Sequence, residues 1–237
     1  MTLFNTFPNY PTVSQKEFRK WNEGMFKKYH NERVYTHNNM IIRFIERQRV
    51  KKLLSLLGTI KKGHKVLAAG CGEGYIEKLL PDCNLYMVDI SKEAIKRAKN
   101  KLKGRPNTYF KTGNLENLNF PDNYFDKIEC SEVIEHVLSP GKMMSEFHRV
   151  LKPKGVLVIT FPNEPLINQL KIILIKIGLF RIFFANIPQN MLEEWHLRSF
   201  ELNRFKEVAS GKWKIERVRG APFKLFPVRF IVKCNKD

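Results

Sequence analysis

An apolar run, Val66-Leu67-Ala68-Ala69, feeds straight into Gly70-Cys71-Gly72-Glu73-Gly74, and a helical pattern begins at once. A second apolar run then ends in Val88-Asp89-Ile90-Ser91, with Asp89 19 residues after Gly70. This arrangement constrains the fold more than any other part of the chain. Glycines at a strand-to-helix turn let a ligand approach backbone N–H groups, and a carboxylate ending the next strand can accept from a ribose diol. The spacing predicts a βαβ unit built to hold a nucleoside-bearing cofactor.

The rest of the chain continues that rhythm. Strand runs are predicted at residues 65–69, 85–89, 108–111, 125–130 and 156–161, with helical stretches at 73–80, 92–101, 133–136 and 143–151. Alternation of this kind implies a parallel sheet covered on both faces. Residues 213–218 and 226–234 follow each other with no room for a helical crossover, so they predict an antiparallel hairpin at the sheet edge. The expected class is therefore α/β: a Rossmann-like, doubly wound, seven-stranded sheet, mostly parallel. Ahead of it, Phe18, Trp21, Met25 and Tyr29, then Ile41, Ile42, Ile45, Val50, Leu53, Leu54 and Leu57, recur at helical spacing and stop at Gly58. The organisation read from these patterns is a helical cap over residues 1–60 and one domain over 61–237, with a lid inserted at 162–200.

At 237 residues with 43% hydrophobic and 27% charged positions, the chain has the composition of a folded domain rather than a disordered one. Its net charge of +19 suits an anionic partner, such as nucleic acid or an acidic membrane surface, although much of the lysine is dispersed. Cys71, Cys83, Cys130 and Cys234 show no C-x-x-C spacing and read as buried reduced thiols. The first residues lack the basic start and apolar run of an export signal, so a cytoplasmic location is expected, peripheral to the inner face of the membrane if the lid touches lipid. The apolar window 166–185 carries Lys171, Lys176 and Arg181, too many charges for a span.

Four segments in order resemble the class I S-adenosylmethionine-dependent methyltransferases. Residues 66–74 are similar to the family's first motif, V-L-D-x-G-C-G-x-G, and Val88-Asp89-Ile90-Ser91 to the second. Gly113-Asn114-Leu115-Glu116, running on to Phe125-Asp126, is similar to G-D-A-E-x-L-P-F-x-D-x-x-F-D. Leu151-Lys152-Pro153-Lys154-Gly155 is similar to the turn before the fifth strand. The resemblance implies S-adenosyl-L-methionine as cofactor, contacted by Gly70, Cys71, Gly72, Gly74, Asp89, Ile90, Asn114, Leu115 and, through its backbone, Cys130. Two positions depart from the pattern. Asn114 stands for an Asp that accepts from the adenine amino group, which its own carbonyl can still do. Ala68 replaces an acid that helps hold the methionine end, and losing a charge-assisted contact costs about 1.5–3 kcal/mol.

Ser131-Glu132-Val133-Ile134-Glu135-His136-Val137 follows the fourth strand, where the family places the transferred methyl group. Helical spacing would set Glu132, Glu135 and His136 on one side. One reading gives them a pocket-shaping role. The other is a site for Mg²⁺, Mn²⁺ or Zn²⁺ made by Glu132, Glu135, His136 and His196, like that of small-RNA 2′-O-methyltransferases. Without a metal, His136 with Glu135, or His196, is the expected general base. The segment 166–177 is moderately amphipathic, and 179–184 is apolar and aromatic; with the basic charge this layout resembles the ubiquinone-pathway O-methyltransferases. The expected activity is O-methylation of a lipophilic or glycolipid-like small molecule, with contact to an anionic membrane surface. An RNA methyltransferase and a catalytically silent scaffold stand as alternatives.

Overall fold

A computed structural model describes residues 14–28, 39–179 and 200–236 of the protein. Its centre is one seven-stranded sheet: β1 (Lys65–Ala69), β2 (Asn84–Asp89), β3 (Thr108–Thr112), β4 (Phe125–Ser131), β5 (Leu151–Pro162), β6 (Lys214–Pro222) and β7 (Pro227–Asn235), in spatial order 3-2-1-4-5-7-6. Strands β1 to β5 pair in parallel, and β7 runs antiparallel to both β5 and β6. The fold class expected from the sequence is the one found.

Alternation along the strands fills two apolar layers. Leu67, Ala69, Ile128, Cys130, Leu157 and Ile159 face α4 (Pro140–Val150) and α6 (Leu202–Ala209), through Met143, Phe147, Phe205 and Ala209. Val66, Ala68, Met87, Val158 and Ile231 face α2 (Met40–Leu57) and α3 (Lys92–Lys101), through Val50, Leu53, Leu57, Ile95 and Ala98. Helix α2 thus shares the domain's own core. Helix α1 (Gln15–Lys28) packs against α3, and α5 (Glu164–Lys176) follows β5 at the end of the sheet where the loops gather. All four cysteines are buried and unbridged.

Two predicted helices do not form, for reasons the sequence contains. Past the first glycines, Gly74 adopts φ +78°, which no helical residue shares, and Leu80 is pushed to an extended conformation by Pro81. Five residues remain between them, and they make turns with a single 3₁₀ segment, Glu77–Leu79. In the second case Glu132 takes φ +55°, residues 134–136 form a turn closed by His136 N–H donating to Val133 O at 2.9 Å, and α4 starts only at Pro140. Proline favours the first helical position and disfavours helix in the residue before it, so the boundary falls at Ser139.

Candidate active site

In this strand order the crevice for a ligand lies beyond the carboxyl ends of β1 and β4, where the order reverses. The glycine loop leaves β1 there. Gly70 and Cys71 N–H both donate to Val88 O, at 2.8 and 3.1 Å, which ties the loop to the end of β2. Gly70 has φ +74°, and a Cβ on it would lie 2.4 Å from Cγ2 of Val133, so neither the backbone nor the space admits another residue. Gly72 (φ +51°) directs its N–H to Asp89 Oδ2 at 2.9 Å, and Ser91 N–H reaches Oδ1 at 2.9 Å. Burial pushes the Asp89 carboxyl up to about 6 against the pull of these amides.

The far side of this crevice comes from α1, which the sequence did not connect to the site. Glu23 accepts from Ser91 Oγ (2.7 Å), Lys92 N (3.0 Å) and Glu93 N (3.2 Å), placing a carboxylate on the N-terminus of α3. Gln15 accepts from Asn114 Nδ2 at 2.8 Å, while Asn114 Oδ1 accepts from Glu116 N at 2.9 Å. Leu115 and Cys130 are buried, Ile90 is half-buried, and Cys71 is buried with its thiol pushed well up by desolvation and nearby carboxylates.

At the ends of β4 and β5 the character changes to a network of charged side chains. Arg49 of α2, 1% exposed, donates from Nε to Glu46 at 2.7 Å and from Nη1 to Ser131 and Thr160. Glu132 takes a hydrogen bond from Thr160 Oγ1 (2.8 Å) on one oxygen and an ion pair from Arg229 Nε (2.8 Å) on the other. Glu135 is buried, with His136 Nε2 3.9 Å away, and burial together with Glu132 pushes its carboxyl well above the usual range. Arg49, Thr160 and Arg229 carried no sequence motif. Their one signal in the sequence is a charge or hydroxyl inside an otherwise apolar strand or helix face.

Residues 67–159 match a methyltransferase-domain family. An uncharacterized protein of Methanocaldococcus jannaschii is 34% identical over 151 residues, 64% of this chain and 59% of that one. The demethylmenaquinone methyltransferase of Geobacillus stearothermophilus is 29% identical over 138 residues, 55% of this chain and 59% of that protein. A probable S-adenosylmethionine-dependent methyltransferase of Mycolicibacterium smegmatis is 35% identical over 102 residues, 43% and 39% of the two chains. The chain thus spans 39% to 59% of the length of these curated relatives. Among solved structures, the N-methyltransferase NodS of Bradyrhizobium japonicum, in complex with S-adenosyl-L-homocysteine, superposes with a TM-score of 0.67 at 16% identity over 91% of this chain and 98% of that one. Residues 67–159 thus carry a methyltransferase domain, and the fold is that of S-adenosylmethionine-dependent methyltransferases.

The residues fit the cofactor of that family. The cradle at Gly70 has no space for a side chain, and a buried carboxylate, Asp89, stands where a ribose diol needs an acceptor. The cofactor carries no phosphate, so the one-turn segment after the loop leaves no anion without its helix. The metal centre is a correction. Among the described residues no group of three His, Cys, Asp or Glu side chains is placed to hold an ion. Glu132, Glu135 and His136 do not share a helical face, and both Glu132 oxygens are engaged by Thr160 and Arg229. His196, expected as a fourth ligand or base, lies outside the described residues, as does the second half of the expected lid.

Proposed function

We propose that the protein transfers a methyl group from S-adenosylmethionine to a hydroxyl of a lipophilic small-molecule acceptor at the surface of an anionic membrane. The observation that carries the acceptor class is the apolar rim of the site. Helix α5 leaves β5 beside the Ser131–His136 loop and buries only Glu164, while Ile172, Ile173, Ile175 and Ile177 are each more than half exposed. Asn163, at its root, binds Pro227 O (2.9 Å) and Val228 O (3.0 Å), which joins it to the β6–β7 turn, where Phe223, Leu225 and Phe226 are also exposed. Exposed apolar side chains on two neighbouring elements suit a ligand groove or a lipid contact, and Lys171, Lys176 and Lys224 on the same elements favour an anionic surface. The demethylmenaquinone methyltransferase named above is consistent with a small lipophilic acceptor. Among the described residues no helix is long and apolar enough to cross a membrane, so contact would be at the surface.

S-adenosylmethionine supplies an already activated methyl group, so the side chains mainly position the acceptor and accept its proton. Gly70, Cys71, Gly72, Gly74, Asp89, Ile90, Asn114, Leu115 and Cys130 would hold the cofactor. His136, held beside Glu135, would take the proton from the acceptor hydroxyl. The chain would divide into a helical cap over residues 1–60, whose α2 packs into the core of the next unit, and a domain over 61–237 with a lid at 162–200. The deciding experiment offers the protein methyl-labelled cofactor with vesicles containing a polyprenylated phenol, and in parallel with total RNA. Label is expected in the lipid phase, with a drop of about 10²–10⁴ for His136→Ala. Label in RNA alone would overturn the acceptor class, and unchanged turnover of the variant would overturn the role of His136.

A further inference from the structure

The acid missing from β1 has a counterpart one strand away. Ala68 and Glu129 are Cα partners in the parallel pairing of β1 with β4, so their side chains leave the same face of the sheet on strands about 4.8 Å apart. Both lie just under the glycine loop, with Ala68 two residues before Gly70. Glu129 is 1% exposed in a strand whose other buried side chains include Phe125, Ile128 and Cys130, a costly position for a carboxyl. It faces another buried acid, Glu77 of the 3₁₀ segment that follows the loop, carboxyl to carboxyl. Apart from that contact, no donor among the described residues reaches Oε1 of Glu129. Arg49 attracts it from nearby, yet donates to Glu46, Ser131 and Thr160.

We propose that Glu129, supported by Glu77, is the carboxylate that holds the α-ammonium group of the cofactor's methionine end, replacing from β4 the acid that β1 lacks at Ala68. The inference rests on the cofactor reading above. A Glu is one methylene longer than an Asp, which lets it reach back across part of the strand spacing. Two facing buried carboxyls, with Lys101 acting on one and Arg49 on the other, still leave Oε1 of Glu129 open to a cation. Burial now holds both up, Glu77 to about 7 with Asp89 adding to it, and Glu129 well above its usual range with Glu77 adding to it. An arriving ammonium would let them ionise.

Calorimetric titration with two ligands tests this. S-adenosylhomocysteine carries the amino-acid end, whereas 5′-methylthioadenosine keeps the adenosine and thioether but lacks it. Glu129→Gln is expected to weaken S-adenosylhomocysteine by at least tenfold and to leave 5′-methylthioadenosine within about twofold. Ala68→Asp combined with Glu129→Val, which returns the acid to β1, should recover S-adenosylhomocysteine binding to within about fivefold of wild type. Equal affinity of Glu129→Gln and wild type for S-adenosylhomocysteine would overturn the inference. So would parallel loss of both ligands with no recovery in the double variant, which would make Glu129 a packing residue. Wild-type protein that binds neither ligand would instead sink the cofactor reading itself.

Discussion

The two ends of the crevice are built from different materials. On the cofactor side, backbone groups do most of the contacting: left-handed glycines, the N–H groups of Gly70, Cys71 and Gly72, and one carboxylate at the end of β2. On the side proposed for the acceptor, side chains do it, through Arg49, Glu46, Ser131, Thr160, Glu132 and Arg229, none of them adjacent in sequence except Ser131 and Glu132. Backbone sites tolerate side-chain change but no change of glycine. Networks of buried charge behave in the opposite way, because removing one member leaves another uncompensated.

Arg49→Ala should therefore produce the largest loss of stability. It strips Glu46, 3% exposed, of its closest cation and takes one hydrogen bond each from Ser131 and Thr160. The expected cost is about 3–5 kcal/mol in denaturant titration. Arg97 on the cofactor side makes similar-looking pairs, with Glu73 and Glu93 at 2.9 Å each, yet it is one-fifth exposed and the buried Glu73 keeps Lys101 4.0 Å away, so Arg97→Ala should cost less, about 1 kcal/mol. Equal costs would erase the contrast between the two ends.

Gly70→Ala attacks the backbone side directly. A left-handed alanine and a Cβ 2.4 Å from Val133 together should cost about 2–4 kcal/mol and remove detectable S-adenosylhomocysteine binding in calorimetry. Adding Val133→Ala should return the steric share of the loss but not the conformational share. Full recovery would show that space, rather than φ, decides the residue.

The same division explains what could be read from the chain. Glycine turns, the Asp89 spacing and two-residue alternation are local and periodic, so the sheet, its hairpin and the cofactor loop were legible. Glu132-x-x-Glu135-His136 looked equally local, but its meaning depended on a helix that Pro140 and the left-handed Glu132 prevent. The pairing of Glu129 with Ala68 was out of reach because it needs the register of two strands 61 residues apart. Likewise nothing near Gln15 or Glu23 announces that α1 will meet Asn114 and the start of α3.

Protons sharpen the comparison further. Glu77 and Asp89, both acids on the cofactor side, are raised by burial from 4.5 to about 7 and from 3.8 to about 6. Acids whose values rise on folding stabilise the fold fully below their unfolded values, and that stability is lost as pH climbs through the folded ones. Glu146, held low by hydrogen bonds from Arg149, is already ionised there and adds no slope. The ligand-free protein should thus melt several degrees lower at pH 8 than at pH 5, and Glu77→Gln should flatten the fall. A profile identical to wild type would mean that Glu77 does not titrate in this window.

The smallest expected effect is at Asn114, where the cofactor side does use a side chain. Asn114→Asp keeps the acceptor for Glu116 N but sets a carboxylate against the Gln15 carbonyl, which now receives the Nδ2 hydrogen bond. Against that loss, a charged acceptor would face the adenine amino group, and charge-assisted hydrogen bonds are stronger than neutral ones. The contact with Gln15 is exposed, so its loss should cost little. S-adenosylhomocysteine should therefore bind about two- to fivefold more tightly, with the melting temperature within about two degrees of wild type. Weaker binding would reverse the reasoning. It would mean that the link from α1 to Asn114 holds the adenine end in shape, and that the cofactor side, like the acceptor side, depends on a contact between residues far apart in the chain.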